Sequence, residues 1–149
     1  MGVCPSGCEF ETVAHAAVKA CDGLDGVEDG IVAMSGLCTF DAKTLIRKEV
    51  RCKYGSTVMI SASVVEVAEV MWKGATSATG KSLYPGLTKG TPFQVLAGMK
   101  RHDNGTCSRI PVRVAPEWVS YFIKEDPDFD ASRKNRTKFP TPQFKNSTP

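Results

Sequence analysis

Cys21-Asp22-Gly23-Leu24-Asp25-Gly26-Val27-Glu28-Asp29-Gly30-Ile31 places four acidic side chains and three glycines in eleven residues, directly after a cysteine. That spacing suits neither one face of a helix nor the alternation of a strand. Carboxylates this close repel one another unless a positive charge sits between them, and glycines let the backbone curl around it. A hard cation takes oxygen ligands, roughly six to eight for calcium, from carboxylates and backbone carbonyls.

An EF-hand is excluded. Its loop needs acids at the first, third and fifth positions and glutamate at the twelfth; counted from Asp25, the third is Val27 and the twelfth is Gly36. The remaining arrangement takes Asp22, Asp25 and Asp29 as side-chain ligands, with the carbonyls of Val27 and Ile31. In it the side chains of Val27 and Ile31 face the core and Glu28 faces solvent. The competing reading is a glycine-rich surface turn whose acids are simply solvated. Cys21 and Cys38 flank the loop. A bridge between them closes a loop of about fifteen residues or slightly more, worth roughly 3 kcal/mol on the chain-entropy account; the alternative is two buried free thiols.

Outward from the loop, residues 6–21 read as the helix that feeds it. Ser6 and Glu9 stand at capping-box spacing, and Phe10, Val13, Ala14, Ala17, Val18 and Cys21 recur at three and four residues. His15 lies off that stripe and reads as an exposed helix histidine. After the loop, Ile31–Met34 reads as an extended segment or turn, and residues 39–58 as loop with a helical turn near Ala42–Ile46. A second helix follows a serine cap at Ser61 or Ser63, carries Val64, Val67, Ala68, Met71 and Trp72 on its apolar face, and ends at Gly74. Gly80–Leu87 reads as a short strand closed by a Pro-Gly turn, and Ile110–Val114 as another strand. Pro116 opens a third short helix with Trp118, Tyr121 and Phe122 on one face. His102 beside Asp103 reads as a solvated loop residue.

The chain has 149 residues, is 42% hydrophobic and 23% charged, and has a net charge of +3, which is ordinary for a globular domain. The positive balance comes from residues 131–149, where Arg133, Lys134, Arg136, Lys138 and Lys145 meet no acid. This tail is proline-spaced and expected to be disordered. No basic stripe interleaves with aromatics, so nucleic-acid binding is not expected, and no apolar run is long enough for a membrane span. Six cysteines without paired CxxC spacing favour disulfides and an oxidising compartment over zinc. Three sequons, at Asn104, Asn135 and Asn146, agree with secretion. The start, Met1-Gly2-Val3-Cys4-Pro5, does not read as a signal peptide.

The run Cys8-Glu9-Phe10, the stretch Ala16–Ile31, Cys38-Thr39-Phe40-Asp41, Gly80–Gly86 and Trp118–Asp130 together resemble the tannase and feruloyl esterase family of secreted esterases. The Cys-Asp-x-x-Asp-Gly-x-x-Asp-Gly core carries most of that specificity. The resemblance implies an α/β-hydrolase with a large inserted lid, of which this chain is mostly the lid: mainly α with small irregular β, the catalytic α/β core largely absent. Residues 1–130 are then the lid-like segment and 131–149 the tail. It further implies calcium on Asp22, Asp25, Val27, Asp29 and Ile31, and a Cys21–Cys38 bridge. Intact relatives would cleave aromatic feruloyl or galloyl esters with a serine nucleophile. The family's Gly-x-Ser-x-Gly elbow and its histidine-cysteine pair are absent from these 149 residues. No catalytic residue is therefore assigned, and the chain alone is expected to be inactive. Cys52 is expected to be unpaired, because its family partner falls near Met59; Cys4, Cys8 and Cys107 are left unassigned. The competing class is a non-catalytic secreted, calcium-binding and disulfide-linked binding module.

Overall fold

Ser6 starts the first helix as the capping-box spacing predicts. In the computed structural model its hydroxyl accepts from the Glu9 amide, and the Glu9 carboxylate accepts the Ser6 amide at 2.7 Å. The structure describes residues 4–94, 96–110, 112 and 114–129. The expected tail and the sequons at Asn135 and Asn146 lie outside them. The chain divides into two units, Met1–Pro111 and Val112–Pro149.

In the first unit, helix α1 (Gly7–Cys21) buries Phe10, Val13, Ala14, Ala17 and Cys21, the expected stripe. Helix α2 (Ala62–Lys73) begins at the Ser61 cap and buries Val64, Val65 and Ala68. The two helices close a core with Ala42, Ile60 and Phe93, flanked by half-buried Phe40, Leu45, Trp72 and Leu87. Edge-to-face rings run through it, Phe10 to Phe93 at 5.7 Å, Phe93 to Trp72 at 6.0 Å and Trp72 to Phe40 at 6.2 Å. Such pairs prefer this tilt because the positive ring edge meets the negative face.

Two antiparallel hairpins complete the unit. Strand β1 (Glu49–Arg51) pairs with β2 (Thr57–Met59), and β3 (Met99–Arg101) with β4 (Cys107–Arg109). Their turns are built alike. Gly55 donates to the Cys52 carbonyl with φ 85°, and Gly105 to the His102 carbonyl with φ 77°. This is the three-residue loop in which a left-handed glycine returns the strand.

The strand expected at Gly80–Leu87 is not formed. A single Thr76–Ser82 bridge occurs there, and the segment instead folds back on the end of α2, where the Leu87 amide donates to the Met71 carbonyl at 2.8 Å. The last carbonyls of a helix lack internal donors, and this return supplies one. The approach is close enough that a Cβ on Gly86 would stand 1.9 Å from the Trp72 carbonyl oxygen. The strand expected at Ile110–Val114 is displaced: β4 ends at Arg109, and Val114 already begins helix α3.

The second unit holds α3 (Val114–Trp118), which widens into π turns over Val119–Ile123. The buried Ser120 hydroxyl donates to the Pro116 carbonyl and lies 2.6 Å from that of Phe129. Trp118 and Phe122 stand 6.1 Å apart, and both are exposed.

All six cysteines pair: Cys4 with Cys107, Cys8 with Cys52, and Cys21 with Cys38. The expected bridge beside the acidic loop is present. The expectation for Cys52 is corrected, because the β1–β2 turn brings it to the first turn of α1, with Cα atoms of Cys8 and Cys52 5.8 Å apart.

Candidate functional site

Helix α1 runs straight into the acidic loop. The Asp22 amide still donates to the Val18 carbonyl, then Asp22–Asp25 tighten into a 3₁₀ turn that ends at Gly26 with φ 91°. Gly30, at φ 85°, turns the chain a second time. Left-handed backbone of this kind suits glycine because any side chain would be strained there.

The loop closes on itself. The Gly30 amide donates to the Asp22 carboxylate, 3.0 Å from each oxygen. The Asp25 carboxylate accepts from the Val27 amide and that of Asp29 from the Ile31 amide, each at 3.0 Å. Glu28 is exposed, as expected, and its side chain lies over Gly23. The side chains of Val27 and Ile31, expected to face the core, are 55% and 63% exposed. A short loop fastened only at its ends has no core beneath its middle.

The donor set is all oxygen, without thiol or imidazole, and suits a hard cation. Each aspartate is hydrogen-bonded to a backbone amide of the loop. No group of three or more His, Cys, Asp or Glu placed to hold a metal forms among the described residues.

Two fasteners hold the ends. The buried Cys21–Cys38 bridge is one, with Cα atoms 5.4 Å apart. The other is Lys89, whose ammonium donates to the carbonyls of Cys38 and Phe40 at 2.9 and 2.8 Å and sits 5.5 Å from the Trp72 ring centre. Its amide also donates to the Ser35 hydroxyl. The sequence gives no sign of this role, since Lys89 lies in an irregular stretch more than fifty residues from its partners by number. Beside the loop runs a groove of about 470 Å³, lined by His15, Val18, Lys19, Gly30, Gly90 and Gln94 among others.

Deeper in the first unit, the buried Glu9 carboxylate accepts the hydroxyl and amide of Ser61 at 2.6 and 3.0 Å, as well as the Ser6 amide. Burial pushes the carboxyl up. The Ser61 hydroxyl, the two amides and the Ser6 hydroxyl outweigh it and hold the group below its ordinary value.

Neither histidine stands in a catalytic arrangement. His15 is exposed on α1. His102 Nε2 lies 2.8 Å from the Ser108 hydroxyl, but Ser108 is on an exposed edge of the β3–β4 hairpin rather than at a strand-to-helix elbow. Asn104 occupies the tip of that hairpin.

A family model described as tannase and feruloyl esterase matches residues 2–123. A probable feruloyl esterase of Arthroderma benhamiae is 35% identical over 130 residues, 87% of this chain and 24% of that protein. A probable feruloyl esterase B of Emericella nidulans is 27% identical over 127 residues, 84% of this chain and 22% of that protein. Among solved structures, a tannin acyl hydrolase from Aspergillus niger superposes with a TM-score of 0.67 at 22% identity, covering 82% of this chain and 23% of the other. A feruloyl esterase B from Aspergillus oryzae gives 0.56 at 20% identity, covering 87% and 24%. The chain thus spans about a quarter of the length of the relatives it matches. It belongs to the tannase and feruloyl esterase family, as a partial segment of it.

Proposed function

We propose that this chain is the lid segment of a secreted serine carboxylic ester hydrolase acting on aromatic esters of the feruloyl or galloyl type. The family match over residues 2–123, set against coverage of about a quarter of the relatives, carries this reading. In such an enzyme the nucleophile stands on a strand–turn–helix elbow. These 149 residues contain no Gly-x-Ser-x-Gly, and the described elements are helices and two-stranded hairpins. A lid without the elbow can shape a pocket and exclude water but cannot form an acyl-enzyme. Three disulfides favour secretion, because such bridges persist in oxidising compartments.

Calcium belongs to the same proposal. Asp22, Asp25 and Asp29, with the carbonyls of Val27 and Ile31, would hold it, and its charge would offset the repulsion among the acids. Its role there is to fasten the loop, not to take part in ester chemistry.

The test is turnover of a feruloyl or galloyl ester by the purified, oxidised chain. No turnover is expected; hydrolysis that a serine-reactive inhibitor abolishes would overturn the lid reading. One observation favours the second reading, a self-standing binding module: the first unit has its own buried core and all three bridges close within it. Retention of the inactive chain on an immobilised plant-wall polysaccharide would favour the module.

A further inference from the structure

The β3–β4 turn is more than a connector. His102 and Thr106 close it, the His102 amide donating to the Thr106 carbonyl at 2.9 Å, and residues 103–105 form its exposed tip. Within the tip, Asn104 Oδ1 accepts two bonds from Thr106, from the amide at 3.0 Å and from the hydroxyl at 2.6 Å. Both fall on the same oxygen, so the carboxamide plane is fixed and Nδ2 is left without a partner among the described residues. A Cβ added at Gly105 would meet nothing within 4 Å, so the space around the tip is open. The base of the hairpin is held by the Cys4–Cys107 bridge.

An Asn-x-Thr acceptor needs an exposed asparagine, a middle residue other than proline, and a hydroxyl two residues on. We infer that Asn104 is an N-glycosylation site, presented ready-shaped by this turn. The inference rests on the secretory routing proposed above. The co-substrate is an oligosaccharide on a polyprenyl diphosphate. Asn104 Nδ2 attacks the first sugar carbon, and an N–C bond forms as the C–O bond to diphosphate breaks. The polyprenyl diphosphate leaves with the electron pair, one amide proton passes to a base of the transferase, and nothing is oxidised. The hydroxyl of Thr106 has a definite part: it holds the amide oxygen and so orients the nitrogen.

The test expresses the full chain behind a supplied signal peptide in a glycosylating yeast. Supplying the signal makes the site readable independently of the chain's natural routing. Peptides are released by a glycosidase in heavy-oxygen water, which labels only asparagines that carried glycan. Chain kept in the cell is read the same way from microsomes. The Asn104 peptide is expected to be labelled in wild type and in Thr106→Ser, and unlabelled in Thr106→Val, which keeps the shape and loses the hydroxyl. A bare Asn104 in wild-type chain recovered from the medium or from microsomes would overturn the site without bearing on ester chemistry. Undiminished label in Thr106→Val would do the same.

Discussion

Glu9 and Ser61 stand fifty-two positions apart, yet one carboxylate oxygen of Glu9 accepts both the hydroxyl and the amide of Ser61 while the other accepts the amide of Ser6. A single buried charge thereby closes the first turns of both main helices. Glu9→Gln removes the charge and one accepting oxygen. A hydrogen bond to a charged group contributes about 1.5–3 kcal/mol, and a loss of that size is expected near neutral pH by urea denaturation. The effect is pH-dependent in a fixed direction. The folded carboxyl lies below its ordinary value of 4.5, so the contribution is fully present above that value. It disappears as pH falls through 4.5 and then through the lower folded value. Wild type and Glu9→Gln should therefore converge in stability in acid; a gap that stays constant down to the acid limit would refute the role of the charge.

Gly86 is bound to its place by what surrounds it. An added methyl group would collide with the backbone of Trp72 and Met71, and backbone cannot swing aside as a side-chain tip can. Gly86→Ala is expected to cost about 1–3 kcal/mol or more in thermal or urea unfolding. Gly36→Ala, where an added Cβ meets nothing within 4 Å, is the control and should stay within about 0.5 kcal/mol of wild type.

Phe93 is fully buried and joins α1 to Trp72 through two ring contacts. Phe93→Ala leaves a void that the surrounding helices fill only in part. A loss of about 3–5 kcal/mol is expected, large enough that the variant should be measured at reduced temperature.

Calcium binding by the oxidised chain is expected in titration calorimetry, and it should weaken in Asp25→Ala and Asp29→Ala. If calcium at about a hundred times its Kd is present, unfolding should be harder by about 2.7 kcal/mol. Equal binding by wild type and both variants would remove the ligand assignment and leave the loop a solvated turn.

How far the sequence could be read depended on where the restraints act. The α1 cap was legible because Ser6 and Glu9 are three residues apart, and their bond forms as spacing predicts. Periodicity likewise found both long helices, since each presents one face to one core. The hairpins escaped notice because each strand is three residues long, too short for alternation to register. Their signal was the glycine at the third loop position, Gly55 and Gly105, read instead as loop composition. Phe93 sits in a stretch with no period at all, so nothing local marked it as core. At the loop, the acids and the clasp were legible from chemistry and order. The outward Val27 and Ile31 were not, because exposure depends on what lies beneath a loop rather than on its residues.

The three bridges are nested, Cys21–Cys38 inside Cys8–Cys52 inside Cys4–Cys107. Nesting gives a simple rule for synthesis from the N-terminus. Closing a loop costs more entropy as it lengthens, so each newly exposed cysteine favours its nearest free predecessor. Cys38 then takes Cys21, Cys52 takes Cys8, and of the six only Cys4 is left for Cys107. The native pairing is the last-in, first-out order, so a chain oxidised as it emerges reaches it without ever having to break a wrong bond.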